Sequence, residues 1–238
     1  MLVMNKMDID LRNYLQQNHN QLTWKERIQI TVNIVRALNF IHKENAIHRD
    51  LHSGNLLYLQ SSQRFDISDL GFCGPADKSS TSIYGNLPYI APETISRKEY
   101  TFKSDIYSVA MLMWEISSGQ PPFSNYEHDV DFAMSIINGM RPKIVPGTPL
   151  EYKSLTEQCW DADPSKRPDI RTLGSKILDI NLHYQNISSE LTQLNLSKVN
   201  NDLKTNYTSS KLLTSKVYQF GNMPEPKNAT EGNFITYY

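Results

Sequence analysis

The chain has 238 residues, a formal net charge of -1 and a hydrophobic fraction of 39%. That length supports one large domain with a sizeable core, and the near-zero charge excludes a field that would draw nucleic acid or an anionic membrane. Two isolated cysteines, Cys73 and Cys159, form no CxxC pair and read as small apolar groups, and no apolar run is long enough for a signal peptide or a bilayer span, so a soluble cytoplasmic protein is expected.

Leu2-Val3-Met4 is a short apolar run that could end a buried strand. Asp10 is an N-cap candidate for a short helix at Leu11–Leu15. Thr23 and Glu26 form a capping-box pattern, in which hydroxyl and carboxylate each satisfy an orphan backbone donor. Ile28, Val32, Val35, Leu38 and Ile41 then recur at helical spacing, and the helix is expected to end near Glu44-Asn45. Ile47 to Leu59 reads as loop and short strand, and Phe65-Asp66-Ile67-Ser68 alternates as a strand does. From Gly71 to Tyr89 the chain is rich in Ser, Gly, Asp and Pro, and a loop of that length inside a domain is usually functional.

Ser104 to Ser118 is apolar on most sides, which predicts a central buried helix stopped by Gly119 and Pro121-Pro122. Helices follow at Val130–Asn138, Glu151–Trp160 and Ile170 to about Tyr184. After Leu182 the composition turns polar, with one short amphipathic helix allowed by Ile187, Leu191 and Leu194. Beyond Asn200 no periodicity is visible and disorder is expected. The glycosylation-type triplets at Asn186, Asn195, Asn206 and Asn228 are expected by chance in an Asn/Ser/Thr-rich tail.

The run His48-Arg49-Asp50-Leu51-His52-Ser53-Gly54-Asn55 carries the chemistry. Asp69-Leu70-Gly71 and Ala91-Pro92-Glu93 follow it in order. Phosphoryl transfer to a hydroxyl needs a group that takes the hydroxyl proton and oxygen ligands that hold a hard cation against phosphates. Asp50 fits the first requirement, and Asn55 and Asp69 fit the second.

This ordered set resembles the C-terminal lobe of a eukaryotic protein kinase, closest to the tyrosine-kinase-like serine/threonine group, over about residues 2 to 180. Asp105, Cys159-Trp160 and Asp163-Pro164 through Arg167-Pro168 extend the likeness. The resemblance implies a mainly α fold with short β-hairpins at the catalytic cleft. It also implies a kinase domain over 1–180, truncated at the hinge, and a polar tail over 181–238. The roles it implies are those of the family's general scheme. Asp50 is the base, Arg49 meets a phosphate on the activation segment, and His52 stands where these kinases carry a lysine. Asn55 and Asp69 are the Mg²⁺ ligands, and with Leu57 as the adenine floor they bind ATP. Glu93 and Arg167 form an ion pair, Asp105 holds the catalytic loop, and His48 stacks with Leu70. Ser79, Ser80, Thr81, Ser82 and Tyr84 are candidate acceptors of regulatory phosphate.

No glycine precedes Gly54, so the sequence is expected to start downstream of any glycine-rich nucleotide loop, with the small N-lobe absent and Asn5 to Asp10 as the hinge. The functional expectation is a protein serine/threonine kinase, less readily a tyrosine kinase, using Mg-ATP and a protein substrate. The alternative is a catalytically impaired pseudokinase acting as a binding module, its exposed docking surface covered by a partner. Asp-x-Gly alone is a common turn, and the Ser/Thr cluster alone a solvated loop; only the ordered set lifts these readings.

Overall fold

The computed structural model describes residues 6–75, 83–97, 99–193, 214–230 and 234–235, and side chains within these except at 187–193 and 235. Helices dominate: α1 (Leu11–Asn18), α2 (Trp24–Lys43), α3 (Pro92–Arg97), α4 (Phe102–Ser118), α5 (Val130–Ile137), α6 (Leu150–Cys159) and α7 (Ile170–Gln193). Strands are short and sit around the helices: β1 (Ile9–Asp10), β2 (Ala46–Ile47), β3 (Leu56–Leu59), β4 (Arg64–Ile67), β5 (Gly74–Pro75), β6 (Ile83–Gly85), β7 (Arg141–Pro142), β8 (Lys216–Tyr218) and β9 (Phe234–Ile235).

The helix starts follow their sequence signals. Asp10 accepts from the Asn13 amide, and Thr23 and Glu26 complete a reciprocal capping box ahead of α2. A second box, Thr101 with Ser104, starts α4 two residues earlier than its apolar run suggests. Gly119 closes α4 at φ +77, the left-handed cap that glycine adopts without strain. α4 is buried on nearly every side, from Ser104 to Ser117, and packs against α2 and α6. α2 also lies along α7.

α7 runs on to Gln193 rather than ending near Tyr184, because no proline interrupts the chain between Pro168 and Pro224. The short helix expected around Ile187 and Leu191 is therefore its continuation, and Leu194 lies outside the described residues. The expectation of disorder beyond residue 200 does not hold for 214–230. β8 pairs antiparallel with β6, and Tyr218 and Phe220 join the core. Leu2-Val3-Met4 and Ser79 to Ser82 lie outside the described residues.

A three-stranded antiparallel sheet, ordered β1-β3-β4, supports the site. Ile9-Asp10, expected as hinge, pair with Tyr58 and Leu57. The period-2 pleat turns Leu56 and Phe65 into the core and leaves Leu57 half-buried. Leu56 faces Ile67 across the β3–β4 hairpin, which brings Asn55 and Ser68 side by side at its base.

Candidate active site

The loop from His48 to Asn55 is fixed from below by the first turn of α4. Asp105 accepts from the backbone amides of His48 (2.9 Å) and Arg49 (3.1 Å), and its Oδ2 lies 2.9 Å from His42 Nε2. Arg49 is thereby held at φ +73, a left-handed conformation that a non-glycine residue keeps only when its surroundings impose it. The His48 ring is fully buried, with Nε2 3.1 Å from the Ser68 carbonyl and Nδ1 accepting from the Asp50 amide.

Asp50 is 3% exposed. Asn55 Nδ2 donates to the Asp50 carbonyl at 2.9 Å and reaches its Oδ2 at 3.4 Å. His52 Nε2 stands 3.6 Å from Asp50 Oδ1, while its Nδ1 accepts from the Gly54 amide. Burial raises the Asp50 carboxyl, but the hydrogen bond and charge of His52, with Ser215 and His48, outweigh it and hold the carboxyl below the ordinary aspartate value. The group is a buried carboxylate kept ionised at neutral pH.

Asp69 follows Ser68, whose amide and hydroxyl both donate to the Asn55 carbonyl, at 2.8 and 3.0 Å. Asp69 is exposed and adopts φ +54. Because Asn55 spends its Nδ2 on Asp50, its amide presents oxygen as the group for a cation, and Asp69 adds a carboxylate. Oxygen donors of this kind fit Mg²⁺. Among the described residues no group of three or more His, Cys, Asp and Glu side chains could hold a metal ion.

The remaining expectations divide. Arg49 Nη2 donates to the Pro75 carbonyl, and the guanidinium lies 5.7 Å from the Tyr100 ring centre, so it braces the β2–β5 pair. His48 is buried whereas Leu70 is 57% exposed, so the two do not share a buried stack. Phe72, next to Gly71, instead stacks on Tyr84. Cys73 and Cys159 are free thiols that burial raises to about 11 and about 12, so both are protonated at neutral pH.

Sequence reasoning missed two features. Ser53 belongs to a buried polar chain: Arg12 Nε donates to Ser53 Oγ, which lies 3.4 Å from Tyr89 Oη, and Tyr89 donates to Glu115 at 2.7 Å. Burial raises the Glu115 carboxyl against the pull of Arg12. The second feature is Ser215, whose Oγ donates to Asp50 Oδ1 at 2.8 Å and lies 3.0 Å from His52 Nε2. No local pattern marks a lone serine in a polar tail.

The profile of the family described as "Protein tyrosine and serine/threonine kinase" matches residues 1–177. The Dictyostelium discoideum "Dual specificity protein kinase zakA" is 30% identical over 210 residues, covering 81% of this chain and 27% of that protein. The human "Dual serine/threonine and tyrosine protein kinase" is 34% identical over 172 residues, 71% of this chain and 18% of that protein. The Arabidopsis thaliana "Serine/threonine-protein kinase STY17" is 30% identical over 159 residues, 66% of this chain and 28% of that protein. The chain thus spans less than a third of the length of these relatives. With a profile match over most of its length, the chain belongs to the protein tyrosine and serine/threonine kinase family.

Proposed function

We propose that this chain carries the C-terminal, acceptor-binding lobe of a kinase domain, over residues up to about 180. In this reading it moves the γ-phosphoryl group of Mg-ATP onto a serine or threonine hydroxyl of a protein. One observation carries the proposal: a buried Asp50 carboxyl with an aliphatic hydroxyl hydrogen-bonded to it at 2.8 Å. A general base must lie within hydrogen-bond reach of the proton it takes, and this distance meets that requirement.

Each residue's part follows from its surroundings. Asp50 orients the acceptor hydroxyl and takes its proton. Asn55 fixes the Asp50 loop through Nδ2 and offers oxygen to a cation, and Asp69 offers the second oxygen ligand. Bound Mg²⁺ would neutralise charge on the phosphates. The half-buried Leu57 offers an apolar surface for adenine. His52 lies within reach of both the hydroxyl and Asp50, and would orient the acceptor rather than supply the fixed charge of a lysine. Asp105 is a positioning residue acting through the loop backbone.

The short serine side chain at Asp50 supports serine/threonine over tyrosine acceptors. The relatives' names include dual specificity, so tyrosine acceptance is the alternative that the test must separate. The test is transfer of labelled γ-phosphate to a generic protein substrate, followed by phosphoamino-acid analysis, with Asp50→Asn as control. Equal label from both proteins would reject the reading.

A further inference from the structure

The tail segment 214–230 returns to the body at the site itself. Lys216 pairs with Gly85, Val217 with Tyr84 and Tyr218 with Ile83, antiparallel. The strand alternates: Tyr218 and Phe220 are 8% and 6% exposed and stack on each other, while Val217 is 62% exposed. Gly85, at φ +138, leaves room for the Asp50 carboxyl, since a Cβ there would lie 3.3 Å from its Oδ1. Farther on, Glu225 pairs with Arg97, the Lys227 amide donates to the Ile137 carbonyl at 2.8 Å, and Asn228 Oδ1 accepts from the Ala162 amide at 2.6 Å. The segment is thus anchored beyond the strand as well as in it.

β8 is the one strand partner that β6 has among the described residues, and such pairing is a mode in which main-chain bonds give affinity and pockets for alternate side chains give selectivity. β6 belongs to the stretch between Asp69 and the Ala91-Pro92-Glu93 motif. The residue immediately before the added strand, Ser215, puts its hydroxyl on Asp50 and His52.

We propose that Ser215 is a phosphorylation site of this chain, modified in cis, and that 215–220 is a tethered acceptor strand filling the groove an external peptide would use. The inference rests on the phosphoryl-transfer reading of Asp50. Ser215 Oγ forms the new bond to the γ-phosphorus of Mg-ATP. The bond from that phosphorus to the β,γ-bridging oxygen breaks, ADP leaves with that electron pair, and the hydroxyl proton passes to the Asp50 carboxylate. The product carries a charge of about -1.5 to -2 directly against Asp50, and like-charge repulsion releases the strand. One modification therefore opens the groove. Before it, the tether keeps the local acceptor concentration at about the millimolar level, and a free peptide must compete with that.

The experiment uses the full chain in two arms. In the first, hydrogen exchange without nucleotide reads the amides of 83–85 and 216–220. Protection is expected in the natural chain and lost in Ser215→Glu and in Tyr218→Ala. Rapid exchange of these amides in the natural chain overturns the docked strand, whatever the catalytic result. In the second, Mg-ATP is added over about a tenfold range of chain concentration and phosphosites are mapped by mass spectrometry. Label on Ser215 with a concentration-independent first-order rate, absent in Ser215→Ala and Asp50→Asn, supports the proposal. Label on an added protein but not on Ser215 overturns it while leaving the kinase reading intact, and a rate that rises with chain concentration overturns modification in cis. No label on any protein overturns both.

Discussion

Arg167 closes on Glu93 through two parallel hydrogen bonds, Nη1 to Oε1 at 2.6 Å and Nη2 to Oε2 at 2.7 Å, with both side chains withdrawn from solvent. The guanidinium also donates to the carbonyls of Asp161 and Lys103 and lies 5.2 Å from the Tyr107 ring centre. Removing one partner leaves a buried charge unmatched. Glu93→Gln or Arg167→Met should cost about 3–5 kcal/mol, read by urea denaturation. Replacing both with apolar residues of similar volume should recover part of that loss; a double variant no better than the singles would contradict a pairing account.

Asp105 satisfies two successive backbone amides and faces His42. Asp105→Ala leaves the His48 and Arg49 amides buried and unpaired, at about 1–3 kcal/mol each. We expect phosphate transfer to fall with stability, and nucleotide affinity to change less than turnover. Unchanged turnover would show that the loop does not depend on this tie.

Asp50 titrates below the ordinary aspartate value in the folded chain. A carboxyl depressed on folding contributes stability that is present above its unfolded pKa and fades as pH falls through the folded one. Asp50→Asn should therefore be less stable than the natural chain at neutral pH. The gap should close once the medium is more acidic than the folded carboxyl. A gap that does not depend on pH would contradict the ionised form.

His19 acts in the same direction as Asp50, in a higher pH window. Burial, and then the charge of Arg27, lower it from 6.5 to about 4, with its Nε2 3.1 Å from the Ser117 carbonyl. The unfolded chain gains a proton near pH 6.5 that the folded chain refuses until about pH 4, so stability falls across that interval as pH drops. The drop should be on the order of 3 kcal/mol, and His19→Gln should flatten it. Parallel denaturation series at pH 7, 5.5 and 4.5 read the difference.

Gly139 sits at φ +98, and a Cβ there would lie 2.5 Å from the Asn228 carbonyl oxygen. Gly139→Ala should cost about 1–2 kcal/mol in backbone strain and push residues 227–230 off the body. Limited proteolysis would then cut within 214–230 sooner than in the natural chain.

Much of this was legible in the sequence because its signals are local. The Thr23/Glu26 box, the apolar run of α4 and the Gly119 stop each depend on residues within a turn or two. Asp50 and Asn55 are separated by five residues and meet within one loop. The course of the tail was not legible. Ser215 meets Asp50 across 165 residues, and a strand that adds by backbone pairing needs only alternating Tyr218 and Phe220, too short a pattern to separate from polar coil. The end of α7 is not legible either: the polar composition after Leu182 suggests a stop, yet no proline there breaks the helix, which runs to Gln193. The exposure of Leu70 was also hidden, because a family position implies a neighbour that a lone sequence cannot supply.

The tie from Asp105 to the His48 and Arg49 amides sets what the reacting carboxylate is measured against. Its reference frame is α4, the helix with the least access to water, and not the surface turns that flank it. Two hydrogen bonds to that helix oppose any displacement of those turns before it reaches residue 50. Substitutions that tilt α4, however remote from the cleft, will register there as misalignment.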